Sequence, residues 1–193
     1  RYIADGSTAN QTSNNSLYLG YDTRALASGD TNEIVIGASA IGVGSNSVVL
    51  GNDSITKTIL KGNVGIGTTS PASLLDITKT AIGATQSDAY GLSLVNTTAA
   101  ALDAQQYSPP LRWRGFGWKT DATAASQSVD FRSFVRPIQG AAAPTGGLDF
   151  QSSINGAAYS NLVTILSNGN VGIGTTSPGA VLTVATGRAQ FTG

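Results

Sequence analysis

Along the N-terminal part of the chain one short pattern recurs: an Asn, a polar position, then two apolar residues separated by one position, closed by Gly. It reads Asn15-Ser-Leu-Tyr-Leu-Gly20, Asn32-Glu-Ile-Val-Ile-Gly37 and Asn46-Ser-Val-Val-Leu-Gly51, spaced 17 and then 14 residues. The pairs Leu17/Leu19, Ile34/Ile36 and Val48/Leu50 have the two-residue period of half-buried strands. Weaker strands such as Ile41-Gly42-Val43 lie between them. Two short strands and two tight turns per repeat predict a β-solenoid or β-roll. One such coil turns only two or three apolar side chains inward, while each ordered residue costs roughly 1–2 kcal/mol of chain entropy. The shortfall predicts that several chains pool their inner faces in an obligate oligomer.

A second repeat is longer. Gly-Asn-Val-Gly-Ile-Gly-Thr-Thr-Ser-Pro occurs at 62–71 and identically at 169–178. Thr58-Ile-Leu60 before the first copy matches Thr164-Ile-Leu166 before the second, and Leu75-Asp-Ile77 is echoed by Leu182-Thr-Val184. Val64 and Ile66, like Val171 and Ile173, alternate with glycines that let backbones approach. Pro71 and Pro178 cannot donate to a ladder and hold the preceding Ser extended. Each copy predicts a strand plus a stop, in the same conformation both times.

Between the copies the repeat gives way to aromatics: Tyr90, Tyr107, Trp113, Phe116, Trp118, Phe131, Phe134, Phe150 and Tyr159. Apolar runs at 91–95, 111–119, 129–135, 148–154 and 161–166, separated by turn clusters at 96–98, 120–128 and 139–147, predict a small antiparallel β-sandwich. Parity places Val129, Phe131 and Val135 inside it, with Asp130, Arg132, Phe134 and Arg136 outside. On the preceding run Leu111 and Trp113 fall inside, and Arg112, Arg114, Phe116 and Trp118 outside. Arg beside exposed aromatics is a composition that binding surfaces favour, so Arg112, Arg114, Phe116, Trp118, Arg132 and Arg136 form a candidate glycan contact. A bulge at Gly115 or Gly117 would instead send Phe116 and Trp118 into the core.

The Asn-x-apolar-x-apolar-Gly units, with Ala40-Ile-Gly-Val-Gly-Ser-Asn-Ser47 between them, resemble the head repeats of trimeric autotransporter adhesins. The decapeptide with its Leu-x-apolar tail resembles the connector repeats of bacteriophage tail fibres and tailspikes, which lie upstream of a self-cleaving chaperone domain. The resemblance covers roughly 15–80 and 164–193, and implies a homotrimeric, elongated fibre, on a virion or another extracellular surface. The expected class is all-β: trimeric β-roll or β-helical stem repeats flanking the sandwich. The expected division is β-roll repeats over 1–57, a first connector over 58–80, the sandwich over 81–163, and a second connector over 164–193. Arg1-Tyr2-Ile3 and Gln190-Phe-Thr-Gly193 read as the ends of an internal piece of something longer.

Composition narrows the chemistry. Eleven Lys and Arg balance eleven Asp and Glu, with no His and no Cys. Zinc sites and Ser-His nucleophiles are thereby excluded, and the absence of a basic field argues against nucleic acid or an anionic membrane as partner. Two long uncharged runs, 34–52 and 150–187, are broken every few residues by Gly, Ser, Asn or Thr, so membrane insertion is not expected. The Gly-Ile-Gly-Thr-Thr-Ser loops lack the third Gly or the Gly-Lys of phosphate-binding loops, and Pro follows instead. No cofactor is expected. The single Glu and ten Asp are scattered, mostly in turns where they cap amides, so no enzyme is expected either. A polysaccharide depolymerase with acids brought together across chains is the alternative from another class, and a bacterial surface adhesin or filament is the alternative within the same architecture. The expected partners are two further copies of the chain and a host-surface glycan, a neutral one given how few charges the surface carries.

Overall fold

The computed structural model describes residues 3–9, 13–80 and 91–185. Tyr90 and the two ends of the chain lie outside the described residues. The chain forms two compact units, Arg1–Thr80 and Ala81–Gly193, and the described residues are all-β with no helix.

In the first unit β1 (Leu17–Leu19), β2 (Ile34–Ile36) and β3 (Val48–Leu50) stack in parallel, in register. A second ladder of single bridges pairs Ile3 with Ala25 and Arg24 with Ile41. The result is a small β-solenoid. Each rung opens on an Asn in the left-handed region, Asn15, Asn32 and Asn46 at φ 50°, 54° and 61°, a conformation Asn tolerates better than other residues with a Cβ. Each closes on a Gly, and these glycines form a column. A Cβ on Gly20 would lie 2.5 Å from the Gly37 carbonyl oxygen, and one on Gly37 3.0 Å from the Gly51 Cα.

The solenoid interior is small: Val35, Ala25, Ala40 and Thr23, with Glu33 enclosed among them. Glu33 stands where the neighbouring coils carry Ser16 and Ser47. Its carboxylate accepts the Tyr18 hydroxyl at 2.8 Å and the Gly44 N–H at 3.0 Å. Burial pushes the Tyr18 phenol up, with the Glu33 acceptor adding to it. The middle residue of each strand turns toward this interior. The alternating pairs face outward instead, Leu17, Leu19, Val48 and Leu50 being exposed and Ile34 and Ile36 half-buried.

The first decapeptide follows, with β4 (Val64–Ile66) parallel to β5 (Leu75–Ile77). Residues 67–74 make the return, and the Asp76 carboxylate braces it by accepting the Ala72 N–H and the Thr78 hydroxyl, both at 2.9 Å.

The second unit holds one six-stranded sheet, ordered β11-β10-β9-β8-β7-β6. The strands β6 (Leu111–Lys119), β7 (Ala125–Ile138), β8 (Thr145–Ile154) and β9 (Ser160–Leu166) form an antiparallel meander. The second decapeptide supplies β10 (Val171–Ile173), antiparallel to β9 and parallel to β11 (Leu182–Val184). Strand existence in the aromatic region therefore matches expectation from 111 onward. Two points differ. Residues 91–95 lie outside any ladder, and the strands of one chain share a single sheet instead of two opposed layers.

Alternation divides that sheet into an apolar and a polar face, and the burial of the two is the reverse of the expected one. Phe131 and Val135, expected inside, are exposed together with Trp113, Ile154, Ile165 and Leu182. Phe134, expected outside, is buried, as are Asp130, Asp149, Ser153 and Thr164 on the same face. What covers the polar face is the reason: arginines lie over Asp130 and Asp149, and the Tyr107 ring stacks on Phe134, so water is excluded from between them.

Candidate functional site

The polar face is built from β6, β7 and β8. Arginines at two alternate positions of β6, 112 and 114, and at two positions of the same parity on β7 must converge on one side, and the register sets Arg112 opposite Arg132 and Arg114 opposite Asp130. Facing guanidiniums repel unless each has its own acceptor. Arg112 turns to Asp130, its Nε donating to Oδ1 at 2.9 Å. Arg114 binds the same carboxylate with two parallel donors, at 2.8 and 2.9 Å. The hydrogen bond to Asp130 makes the Arg112 guanidinium hold its proton more tightly than an isolated one would.

Arg132 takes a different partner. Its Nε and Nη2 both donate to the Gln151 side-chain carbonyl, at 2.9 and 2.6 Å. Its guanidinium lies 3.8 Å from the centre of the Tyr159 ring and 5.1 Å from that of Phe134. Phe134 in turn stacks on Tyr107, with ring centres 5.6 Å apart and planes 18° off parallel. Arg136 pairs with Asp149 at 2.6 Å and donates to the Thr176 carbonyl at 3.2 Å, which ties the loop of the second decapeptide to the sheet. Asp149 also accepts the Thr164 hydroxyl at 2.7 Å.

These groups border an open cleft of about 380 Å³, lined by Tyr107, Arg132, Phe134, Arg136, Gln151 and Thr176 among others. Its walls combine flat rings, a fixed guanidinium and amide and carbonyl oxygens. Such a set is chemically suited to a ligand having both a C–H face and polar groups. The two buried carboxylates are each engaged by arginine, so they serve the site as anchors for its cations. Among the described residues no group of His, Cys, Asp and Glu could hold a metal ion.

Of the six residues singled out in the sequence, Arg132 and Arg136 line the cleft, and Arg112 and Arg114 stand beside it on Asp130. Phe116 and Trp118 share their face, because the β6–β7 pairing runs unbroken past Gly115 and Gly117. Both are exposed, at 73% and 68%, but they face Ser128 and Ser126 farther along the strand and do not line the cleft. Tyr107, Asp149, Gln151, Tyr159 and Thr176 were not anticipated. Asp149 and Gln151 had a signal, since they alternate along β8 as Asp130 and Arg132 do along β7. Tyr107 and Thr176 come from loops, where no period exists to place them.

No protein-family model matches this chain, and no curated protein matches it in sequence.

Proposed function

We propose that this chain is a structural and adhesive segment of a homotrimeric bacteriophage tail fibre, exposed on the virion, in which stacked coils make a shaft and the polar sheet face contacts a host-surface glycan. The observation that carries the reading is the apolar sheet face. Trp113 is 51% exposed in the single chain, Phe131 47% and Ile154 58%. A monomer rarely leaves so continuous an apolar surface in water. In a trimer these faces would meet around the axis, and the second layer expected of a sandwich would come from another copy. The outward pairs Leu17/Leu19 and Val48/Leu50 would meet in the same way, giving a trimeric β-roll. The repeats resembling tail-fibre connectors and adhesin heads support the same arrangement, and the cleft on the opposite, polar face would then remain open to solvent and ligand.

Sedimentation equilibrium of the whole chain tests this. Three chain masses are expected at micromolar concentration, and Phe131→Asp, which sets a carboxylate in the middle of the apolar face, should dissociate the assembly. A folded monomer with native-like unfolding would overturn the reading.

A further inference from the structure

We propose that the cleft takes an acidic saccharide and that Arg132 seats its carboxylate. The proposal rests on reading this face as a carbohydrate contact, and it replaces the neutral sugar expected from composition with an anionic one.

Charge is the first argument. The chain as a whole is neutral, yet among the described residues around the cleft four guanidiniums, Arg112, Arg114, Arg132 and Arg136, meet two carboxylates, Asp130 and Asp149. Arg112 and Arg114 share Asp130, and Arg136 has Asp149. Among the described residues no carboxylate pairs with Arg132, whose hydrogen bonds go to the uncharged amide of Gln151.

Geometry is the second. A guanidinium gains specificity for a carboxylate when its plane is fixed, because the two parallel bonds then have a set direction. Here Tyr159 and Phe134 hold the plane by their rings and Gln151 holds one edge. Tyr107, 47% exposed beside the buried Phe134, offers an aromatic surface within the same cleft for the C–H face of a sugar ring. The cleft volume of about 380 Å³ falls within the usual range for small-ligand sites. A uronic acid carries both features required, a carboxylate and a flat C–H face.

The test uses one polymer in two charge states: polygalacturonate and its methyl ester, titrated into the whole chain by calorimetry. The acid form should bind at least ~10-fold more tightly than the ester, which corresponds to one factor of ten per 1.4 kcal/mol. Gln151→Glu supplies Arg132 with a carboxylate of the same shape and should erase the preference while the circular dichroism spectrum stays unchanged. Arg132→Gln should do the same by removing the cation. Equal binding of acid and ester would overturn the acidic class and leave the carbohydrate reading standing. Equal binding of inorganic polyphosphate, or acid binding indifferent to both variants, would show a general attraction for polyanions and overturn the proposal. Binding of neither polymer would overturn it as well, and a neutral glycan array would then decide whether the carbohydrate reading falls with it.

Discussion

The two copies of the decapeptide have identical sequence and the same local structure, yet only the second belongs to the large sheet. In both, the strand pairs in parallel with a partner eleven residues on, Val64 with Leu75 and Val171 with Leu182. In both, the Asn side chain donates to the carbonyl of the terminal Pro, Asn63 to Pro71 at 3.1 Å and Asn170 to Pro178 at 3.3 Å. A Cβ on Gly65 would meet the Thr68 carbonyl oxygen at 2.6 Å, and one on Gly172 the Thr175 carbonyl oxygen at 2.5 Å. The difference lies just upstream. Leu166-Ser-Asn-Gly-Asn170 closes a hairpin, with the Leu166 N–H donating to the Asn170 carbonyl at 2.8 Å, and so joins β9 to β10. The matching segment, Leu60-Lys-Gly-Asn63, is one residue shorter. A hairpin there would need a two-residue Lys-Gly turn, and the turns that suit two-residue hairpins demand a left-handed first residue, which Lys resists. Thr58-Ile-Leu60 accordingly forms no strand. Conformation here is a property of ten residues, while membership in a sheet turns on one residue of loop.

The sharpest test is to delete Asn168. A one-residue shift of β9 against β10 reverses its faces, taking Thr164 from Asp149 and turning Ile165 to the polar side. We expect the sheet unit to lose about 4 kcal/mol or fail to form, because a buried ion pair loses its support while two faces are scrambled. Both tryptophans lie in β6, so tryptophan fluorescence during denaturant unfolding follows this unit alone. An unchanged midpoint would refute the account of the hairpin.

Within the sheet unit, Phe134→Ala should cost about 3 kcal/mol, as truncation of a buried Phe does, and Trp118→Ala about 0.5 kcal/mol or less, as for exposed sites. The same fluorescence transition for Phe134→Ala, and the far-ultraviolet transition for Trp118→Ala, check both. Equal costs would mean that the exposure of Trp118 is lost in the assembly.

In the solenoid unit, Gly42→Ala would set a Cβ 1.9 Å from Glu33 Oε1 and should cost about 2 kcal/mol, as overpacking does. Adding Glu33→Ser, which restores the residue found in the neighbouring coils, should recover part of that loss. Additive costs in the double variant would show that the two sites do not touch. Replacing Lys61 by Ser-Asn gives the first copy the loop of the second, and should slow amide exchange at Leu60 as a new strand forms beside β4.

The smallest expected effect is one of pH. Asp76 braces the return of the first copy, and the Ala72 N–H followed by the Thr78 hydroxyl holds its carboxyl below the usual range. A lowered folded pKa means that its contribution is full above the ordinary value of 3.8 and fades as pH falls through the folded one. The second copy uses Thr183, whose hydroxyl accepts the Ala180 N–H at 3.2 Å and does not titrate. On acidification the Ala72 amide resonance should shift and that of Ala180 should stay, in a nuclear magnetic resonance titration. Parallel movement of both would point to a global change instead.

Much of this was legible in the sequence, and the parts that were not share a cause. Period two located β1 to β3, both decapeptide strands and β6 to β9, because alternation is a local property of the chain. It also sorted the residues of β7 correctly by face. It could not tell which face would be buried, since that depends on what covers each face: arginines lie over Asp130 and Asp149, while Phe131 stays about half exposed among the described residues. Nor could it separate one sheet from two layers, as strands in either arrangement alternate alike. Glu33, counted among the scattered acids, did carry a signal: it is the acid in a position that the neighbouring coils give to Ser16 and Ser47.

The column of glycines in the solenoid has a consequence for how such a protein changes over generations. Paired rungs lie 17 residues apart at one step and 14 at the next, yet every step advances the stack by the same strand spacing, about 4.8 Å. The extra residues are absorbed in the turn between Leu26 and Asn32, away from the register of Leu17, Ile34 and Val48. Reach is therefore counted in whole coils and is blind to loop length. Duplication or loss of one coil by unequal copying would lengthen or shorten the stack by that fixed increment and keep the register of the remaining rungs, so its length can be inherited in whole steps.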